Sequence, residues 1–428
     1  MITSELKKRI LTGDADKVLL GECAVSEFRL SEKRERLALA CDSFLSLFGE
    51  MDSMALSVGG RSEISGNHTD HNGGKVVAAA IDLDIIAIAA PTDDGVVTVK
   101  SEGFEADVVA PGAAECPDER KFFTSAAIIA GMERAFLDRG LKVGGFKAYT
   151  TSNVFKGSGL SSSAAFEVMI GNILNHLYND GKVSNVEIAK MAQFAENEFF
   201  GKPCGLMDQT ACAVGGFISI DFKNPAAPVI EKADFDLTRA GYDLCIVDTG
   251  GNHADLNEDY ASVPAEMKAV AAFLGKSVLR QVKPEELYEK APQIRESLGD
   301  RALLRAFHFM AENDRVEAQC AALKSGDIDG FFKGVLLSGD SSFKYLQNVY
   351  TVKNVREQGL SLALCLTERF LSGKRAAWRV HGGGFAGTIQ AFVPHEFTAQ
   401  YKEYIEKVFG AGKCHILSVR TGGAIRIL

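Results

Sequence analysis

The residues able to do chemistry together are gathered in a few short stretches. The densest is Gly157-Ser158-Gly159-Leu160-Ser161-Ser162-Ser163-Ala164-Ala165. Glycine lets a backbone approach an anion closely and take positive φ values. If a helix begins at the serines, its unpaired N–H groups and the positive end of its dipole converge on one point. Serine hydroxyls can bond phosphate oxygens or supply the hard oxygen ligands that Mg²⁺ prefers. The same residues also fit a Ser-capped helix after a Gly turn, so alone they support an anion site without establishing one. The run lacks Gly-Lys-Ser/Thr and is not a Walker P-loop.

A second stretch is dense in polar groups: Gly60-Arg61-Ser62-Glu63-Ile64-Ser65-Gly66-Asn67-His68-Thr69-Asp70-His71-Asn72-Gly73-Gly74. Asp accepts from two hydroxyls, His and Asn both donate and accept, and glycines allow tight turns, which suits a polyhydroxylated ligand. A surface loop shaped by Asx turns is the competing reading. The third stretch, Cys204-Gly205-Leu206-Met207-Asp208-Gln209, follows a helical pattern carrying Glu196 and Glu198. An Asp208 held near Arg61 stays ionised and can take a hydroxyl proton, or orient the hydroxyl during phosphoryl transfer. Taken alone, Asp208 reads as an ordinary Asp at a helix end.

These stretches need elements to hold them. The pattern predicts a strand over 145–154 running into the Gly-rich loop and a helix over 161–178 leaving it. A helix over 186–199 carries Glu196. Leu30 to Phe48 reads as an amphipathic helix stopped by Gly49. The β-branched run from Lys75 to Ala90 reads as one long or two short strands. Further helices are expected over 122–137, 265–274, 284–290, 303–323, 328–337 and 396–409. Strands are expected over 217–222, 242–247, 378–380 and 388–393. Turn residues between Asn224 and Gly241 place a boundary there, giving domains 1–230 and 231–428. Strands and helices without regular βαβ alternation favour an α+β class.

Composition narrows the function classes. A chain of 428 residues is too long for one ordinary core and predicts two domains. The net charge of −9, with no basic stripe, argues against a nucleic-acid partner. The nine cysteines are scattered and never form Cys-x-x-Cys, which points to buried thiols in a reducing compartment rather than to zinc. Met1 to Thr12 has charges every few residues and is no secretory signal. No run of ~18 apolar residues is present to span a membrane. A cytoplasmic location follows as the expectation.

The Gly-rich loop resembles the central motif of the GHMP kinases, the superfamily of galactokinase, homoserine kinase, mevalonate kinase and phosphomevalonate kinase. The resemblance implies an α+β fold of two domains with the active-site cleft between them. It places Gly157, Ser158, Gly159, Leu160, Ser161, Ser162 and Ser163 around the ATP phosphates and Ser162 on Mg²⁺. Phe155 stands where the family usually has proline. The second stretch resembles the galactokinase signature Gly-Arg-x-Asn-Leu-x-Gly-Glu-His-Thr-Asp-Tyr-Asn-Gly-Gly. That likeness implies Arg61 near the transferred phosphate, His68 at the sugar around C6 and Asp70 on ring hydroxyls. Three polar positions depart from it: Glu63 replaces Asn, Asn67 replaces Glu and His71 replaces Tyr. Asn67 stands for a carboxylate that helps bind the C6 hydroxyl, and its amide lacks the repulsion a carboxylate exerts on a C6-acid sugar.

The third stretch resembles Pro-Cys-Gly-x-Met-Asp-Gln, which makes Asp208 the base, sets Gly205 against the sugar and matches Glu196 to an Mg²⁺ ligand. The segment from Asp248 to Tyr260 resembles one whose Tyr packs on the sugar. Arg379 to Gly387 resembles the family's third motif, with His381 in place of the usual Thr and read as structural. Lys121-Phe122-Phe123 falls where a Trp-containing segment is common, and the adenine-stacking aromatic stays open. The expected activity is transfer of phosphate from ATP to the anomeric hydroxyl of galactose, by a monomer or weak oligomer. A 1-kinase for galacturonate or N-acetylgalactosamine is the alternative, and a non-catalytic galactose sensor a more distant one, since Ser163-Ala164 and Asp208 are kept.

Overall fold

The computed structural model describes residues 1–154, 159–202, 204–250 and 256–428. Its strands are β1 (Met54–Ser65), β2 (Lys75–Pro91), β3 (Val97–Ser101), β4 (Ala106–Val109), β5 (Phe146–Ser152), β6 (Phe217–Asp221), β7 (Val229–Ala233), β8 (Tyr242–Asp248), β9 (Ala377–His381), β10 (Thr388–Pro394), β11 (Cys414–Leu417) and β12 (Ala424–Arg426). One sheet runs β12-β1-β2-β5-β3-β4, with β6 added beside β2 and β7 beside β6. The other runs β11-β8-β10-β9. Helices cover both, as an α+β arrangement requires.

The run from Lys75 forms one long strand because both of its faces are covered. Ile85, Ala87 and Ala89 face the main core, shared with Val168 and Ile173 of the helix Ser162–Tyr178. Ile86, Ile88 and Ala90, on the other face, pack with Leu37, Cys41 and Phe44 of the helix Leu30–Phe48. A strand alternates its side chains between faces, so two apolar faces make a continuous apolar run. The helix Leu30–Phe48 ends at Gly49, whose φ of 76° lies in the left-handed region.

Asp84 of β2 ties the N-terminal helices to this sheet. It is fully buried and receives Lys33, Arg36 and the hydroxyl of Ser57, with Arg420 at 3.7 Å. Burial alone would raise this carboxyl, but the three cations hold it well below the usual carboxylate range.

Two departures from the sequence-based expectation matter for the site. Gly60 to Ser65 is part of β1 rather than of a loop, and its pairing with β2 shifts register between Gly59 and Arg61 and again between Glu63 and Ser65. Such bulges re-aim side chains, here those at the start of the polar signature. The helix Asn185–Phe194 widens into a π-turn over Ala195–Phe200, which carries Glu196. Residue 230 lies inside β7, which pairs with β6 and stays with the first sheet. The division between the sheets therefore falls after Ala233, and β12 returns to the first sheet from the far end of the chain.

Buried side chains of the second sheet reach across to β1. Arg379 Nη1 donates to the Ile64 carbonyl at 3.0 Å, and Gln390 Nε2 donates to the Glu63 carbonyl at 2.9 Å. The polar signature is thus clamped where the two sheets meet.

Candidate active site

Arg61 and Asp208 form the centre. Arg61 extends from β1, and Asp208 lies in the first turn of the helix Met207–Val214. The guanidinium meets the carboxylate with two parallel bonds, Nε to Oδ1 at 2.8 Å and Nη2 to Oδ2 at 2.9 Å. This fork-on-fork geometry fixes both groups. Arg61 Nη1 also donates to the Gly159 carbonyl, and the Ser161 hydroxyl donates to Asp208 Oδ2. Burial would raise the Asp208 carboxyl, but the Arg61 charge and these hydrogen bonds outweigh it and leave the pKa lowered. Asp208 is therefore an anion at neutral pH.

The described part of the Gly-rich loop sits flush on β1. The Arg61 N–H donates to the Leu160 carbonyl at 3.1 Å, and a Cβ on Gly60 would come within 2.8 Å of that oxygen. Only glycine permits this approach. Ser161 holds a left-handed conformation with φ 58°, unusual for a residue with a side chain. Such strain is retained where the surroundings enforce it, often at ligand sites. Ser162 and Ser163 open the helix Ser162–Tyr178, so their N–H groups face the loop without intrahelical partners. Gly157 and Ser158 lie outside the described residues.

The polar signature supplies a second wall. His68 has φ 59° and donates Nε2–H to the Gly383 carbonyl at 2.9 Å. Burial lowers its imidazole to about 4, so it is neutral at pH 7. Asp70 is half-buried, and a Cβ on Gly205 would stand 2.9 Å from its Oδ2. Tyr260 donates to the Gly384 carbonyl at 2.7 Å and meets the Phe385 ring edge-on at 5.4 Å. His68, Tyr260 and Gly383 are neighbours, and Gly205 joins Asp70 to the helix carrying Asp208.

Asn67 does not take the place expected of it. It is fully buried, with Nδ2 donating to Glu63 Oε1 at 2.8 Å and to the Gly382 carbonyl at 2.7 Å. Its Oδ1 accepts from Asn348 Nδ2 at 2.6 Å. The amide is spent inside the protein, which corrects its assignment as a sugar contact. The residue pair is also reversed relative to the signature, with the carboxylate at 63 and the amide at 67. Burial raises the Glu63 carboxyl, against the charge of Arg379.

Glu196 is buried and bonded to Lys202 at 2.9 Å and to Gln209 Nε2 at 2.7 Å. Gln209 also donates to Glu167 Oε2 at 3.0 Å, while Glu167 Oε1 is buried without a hydrogen-bond partner among the described residues. Among the described residues no group of three or more His, Cys, Asp or Glu is placed to hold a metal ion alone. An Mg²⁺ site built from one or two protein oxygens, phosphates and water fits this donor set.

Comparison with known proteins bears on this geometry. The GHMP kinases N terminal domain matches residues 125–216, and the galactokinase galactose-binding signature matches residues 42–91. A galactokinase of Streptomyces coelicolor is 31% identical over 376 residues, covering 86% of this chain and 92% of its own. The chain belongs to the galactokinase family. A galactokinase of Glaesserella parasuis is 30% identical, covering 84% of this chain and 90% of its own. The fold matches Lactococcus lactis galactokinase complexed with galactose at a TM-score of 0.75, with 23% identity over 91% of this chain and 99% of that one. A mevalonate kinase shares the fold at a TM-score of 0.60 with 15% identity, covering 86% of this chain and 99% of that one. The GHMP kinase fold is thus the fold of this member of the family.

Several working residues escaped the sequence reading. Ser161, assigned to phosphate, bonds Asp208; the carbonyls of Gly382, Gly383 and Gly384 organise Asn67, His68 and Tyr260; and Asn348 completes the Asn67 network. Backbone carbonyls leave no mark in residue types. Gln209, beside Asp208 and one turn from Cys212, was the polar residue whose position could have signalled a link to Glu196.

Proposed function

We propose that the chain transfers the γ-phosphoryl group of ATP to the anomeric hydroxyl of galactose, giving galactose 1-phosphate and ADP. The observation that carries this reading is the bidentate Arg61–Asp208 pair, set between the Gly-rich loop and the Asp70–Gly205 contact. Asp208 takes the hydroxyl proton as the sugar oxygen bonds to phosphorus and the bond to the β–γ bridging oxygen breaks. Arg61 stabilises the charge that spreads over the transferring group. The helix N-terminus at Ser162 and the loop backbone cradle the phosphates. Ser162 and Glu196 would hold Mg²⁺, which neutralises phosphate charge when bound. Asp70 and neutral His68 orient the sugar, with the Tyr260 ring beside them.

The related-sugar reading rested on Asn67. Because that amide is turned inward and Glu63 keeps a carboxylate beside it, the motive for a C6-acid substrate is gone, and galactose leads. The intact Arg61–Asp208–Ser161 network favours a catalyst over a sensor. Asp208→Asn tests the assignment. It is expected to cut turnover by ~10³-fold or more while calorimetric galactose affinity stays within about threefold. Retained turnover removes Asp208 from the mechanism.

A further inference from the structure

His381 ends β9, and the antiparallel register sets it directly opposite Thr388 on β10. Its ring is only 2% exposed. Nδ1 lies 2.8 Å from Thr388 Oγ1, whereas Nε2 has no hydrogen-bond partner among the described residues. A buried ring nitrogen without a partner has lost its water and gained nothing, a state native structures rarely tolerate. The imidazole lies against the Gly-rich loop, where a Cβ on Gly159 would be 3.6 Å from its Cε1 and Nδ1. The charges of Arg61, Arg379 and Asp208 all act on the ring. Burial first, then the two guanidinium groups, holds the imidazole at about 3, so the ring is neutral at pH 7. The Nδ1–Thr388 contact fits either tautomer of the neutral ring, and the one in which Nδ1 accepts from the hydroxyl leaves the ring's own proton at Nε2.

We propose that His381 carries its proton on Nε2 and is a substrate-contacting residue of the transfer site, donating that N–H to a phosphate oxygen of ATP held by the Gly-rich loop. The proposal rests on the kinase reading above. A neutral donor suits the position. A further cation beside Arg61 would draw the Asp208 carboxylate further below the proton affinity a base needs, whereas an uncharged N–H adds direction to phosphate binding without that effect.

Three variants separate the two ring nitrogens. His381→Phe keeps the ring and removes both. His381→Asn keeps a group near Nδ1 for Thr388 but cannot reach the Nε2 position. His381→Gln returns an amide N–H there. The readouts are melting temperature, calorimetric binding of a non-hydrolysable ATP analogue, and kcat and KM for each substrate. Phe and Asn are expected to melt near the wild-type temperature, to bind the analogue at least about fivefold more weakly, and to lose about tenfold or more in kcat/KM for ATP. The galactose KM stays unchanged, and Gln recovers most of the analogue affinity. Wild-type analogue affinity and turnover in both Asn and Phe overturn the inference. A wild-type protein that binds no ATP analogue overturns the kinase reading and this inference with it. One that binds the analogue but phosphorylates no sugar overturns the sugar-kinase reading alone, and the binding comparison still decides the role of His381.

Discussion

Replacing Arg61 by Met keeps much of the side-chain volume and removes both bonds to Asp208 as well as the bond to Gly159. Breaking a fully buried ion pair costs ~3–5 kcal/mol, because the surviving charge is left uncompensated. The Asp208 side chain keeps 34% of its surface open, so the cost is discounted towards that of exposed pairs, to ~1–3 kcal/mol at pH 7. The pH dependence gives a sharper signature. In the wild type the folded-state pKa of Asp208 is lowered, so the stabilisation is present above the unfolded value of ~3.9 and is lost as pH falls through the folded value. Without Arg61, burial is opposed mainly by Ser161, and the folded-state pKa rises. The carboxylate then costs stability at neutral pH and the cost recedes on acidification. The stability gap between the proteins is therefore expected to widen from pH 3 to pH 7 in urea titrations. The acid limb of kcat/KM moves up in parallel, and kcat falls ~10²–10³-fold. A gap below ~0.5 kcal/mol at pH 7, with an unmoved acid limb, refutes the coupling.

Other perturbations probe the remaining walls. Asn67→Glu sets two carboxylates in one buried position and is expected to cost ~2–4 kcal/mol at pH 7 by chemical denaturation, less at lower pH as one of them takes a proton; adding Glu63→Asn restores the signature's arrangement and recovers most of the loss. Gly205→Ala puts a methyl group 2.9 Å from Asp70 Oδ2, so galactose affinity measured by calorimetry falls about tenfold or more, a loss of ~1.4 kcal/mol, with the melting temperature little changed. Asp84→Ala leaves Lys33, Arg36 and Arg420 without their shared anion, costing ~3–5 kcal/mol by denaturation while the folded protein keeps its ATP affinity.

The sequence was most readable where a single local pattern determined the outcome. Leu30 to Phe48 carries its helix and its glycine stop, and Lys75 to Ala90 carries a strand whose apolar residues face two cores. Gly60 to Ser65 misled because Arg61, Ser62, Glu63 and Ser65 are polar yet buried in β1, with partners such as Asp208, Gln390 and Asn67 lying far away along the chain or across a turn. Local patterning has no access to such partners. The same limit hid the inward turn of Asn67, set by Asn348 and Gly382, and the exposed-looking turn region that contains β7. Arg61, Asp70, Gly205 and Asp208 were singled out through their motifs, Asp208 reading alone as an ordinary Asp at a helix end, and the structure sets Arg61 on Asp208 and Gly205 beside Asp70. His381 reads as structural from its motif, and only the fold shows its Nε2 buried without a partner among the described residues.

The most direct test of the account is phosphorus NMR of the purified protein incubated with ATP, Mg²⁺ and one of galactose, galacturonate or N-acetylgalactosamine. Galactose is expected to give a new sugar 1-phosphate resonance, matched by ADP and absent with Asp208→Asn. No turnover of galactose, or galacturonate outpacing it, would contradict it.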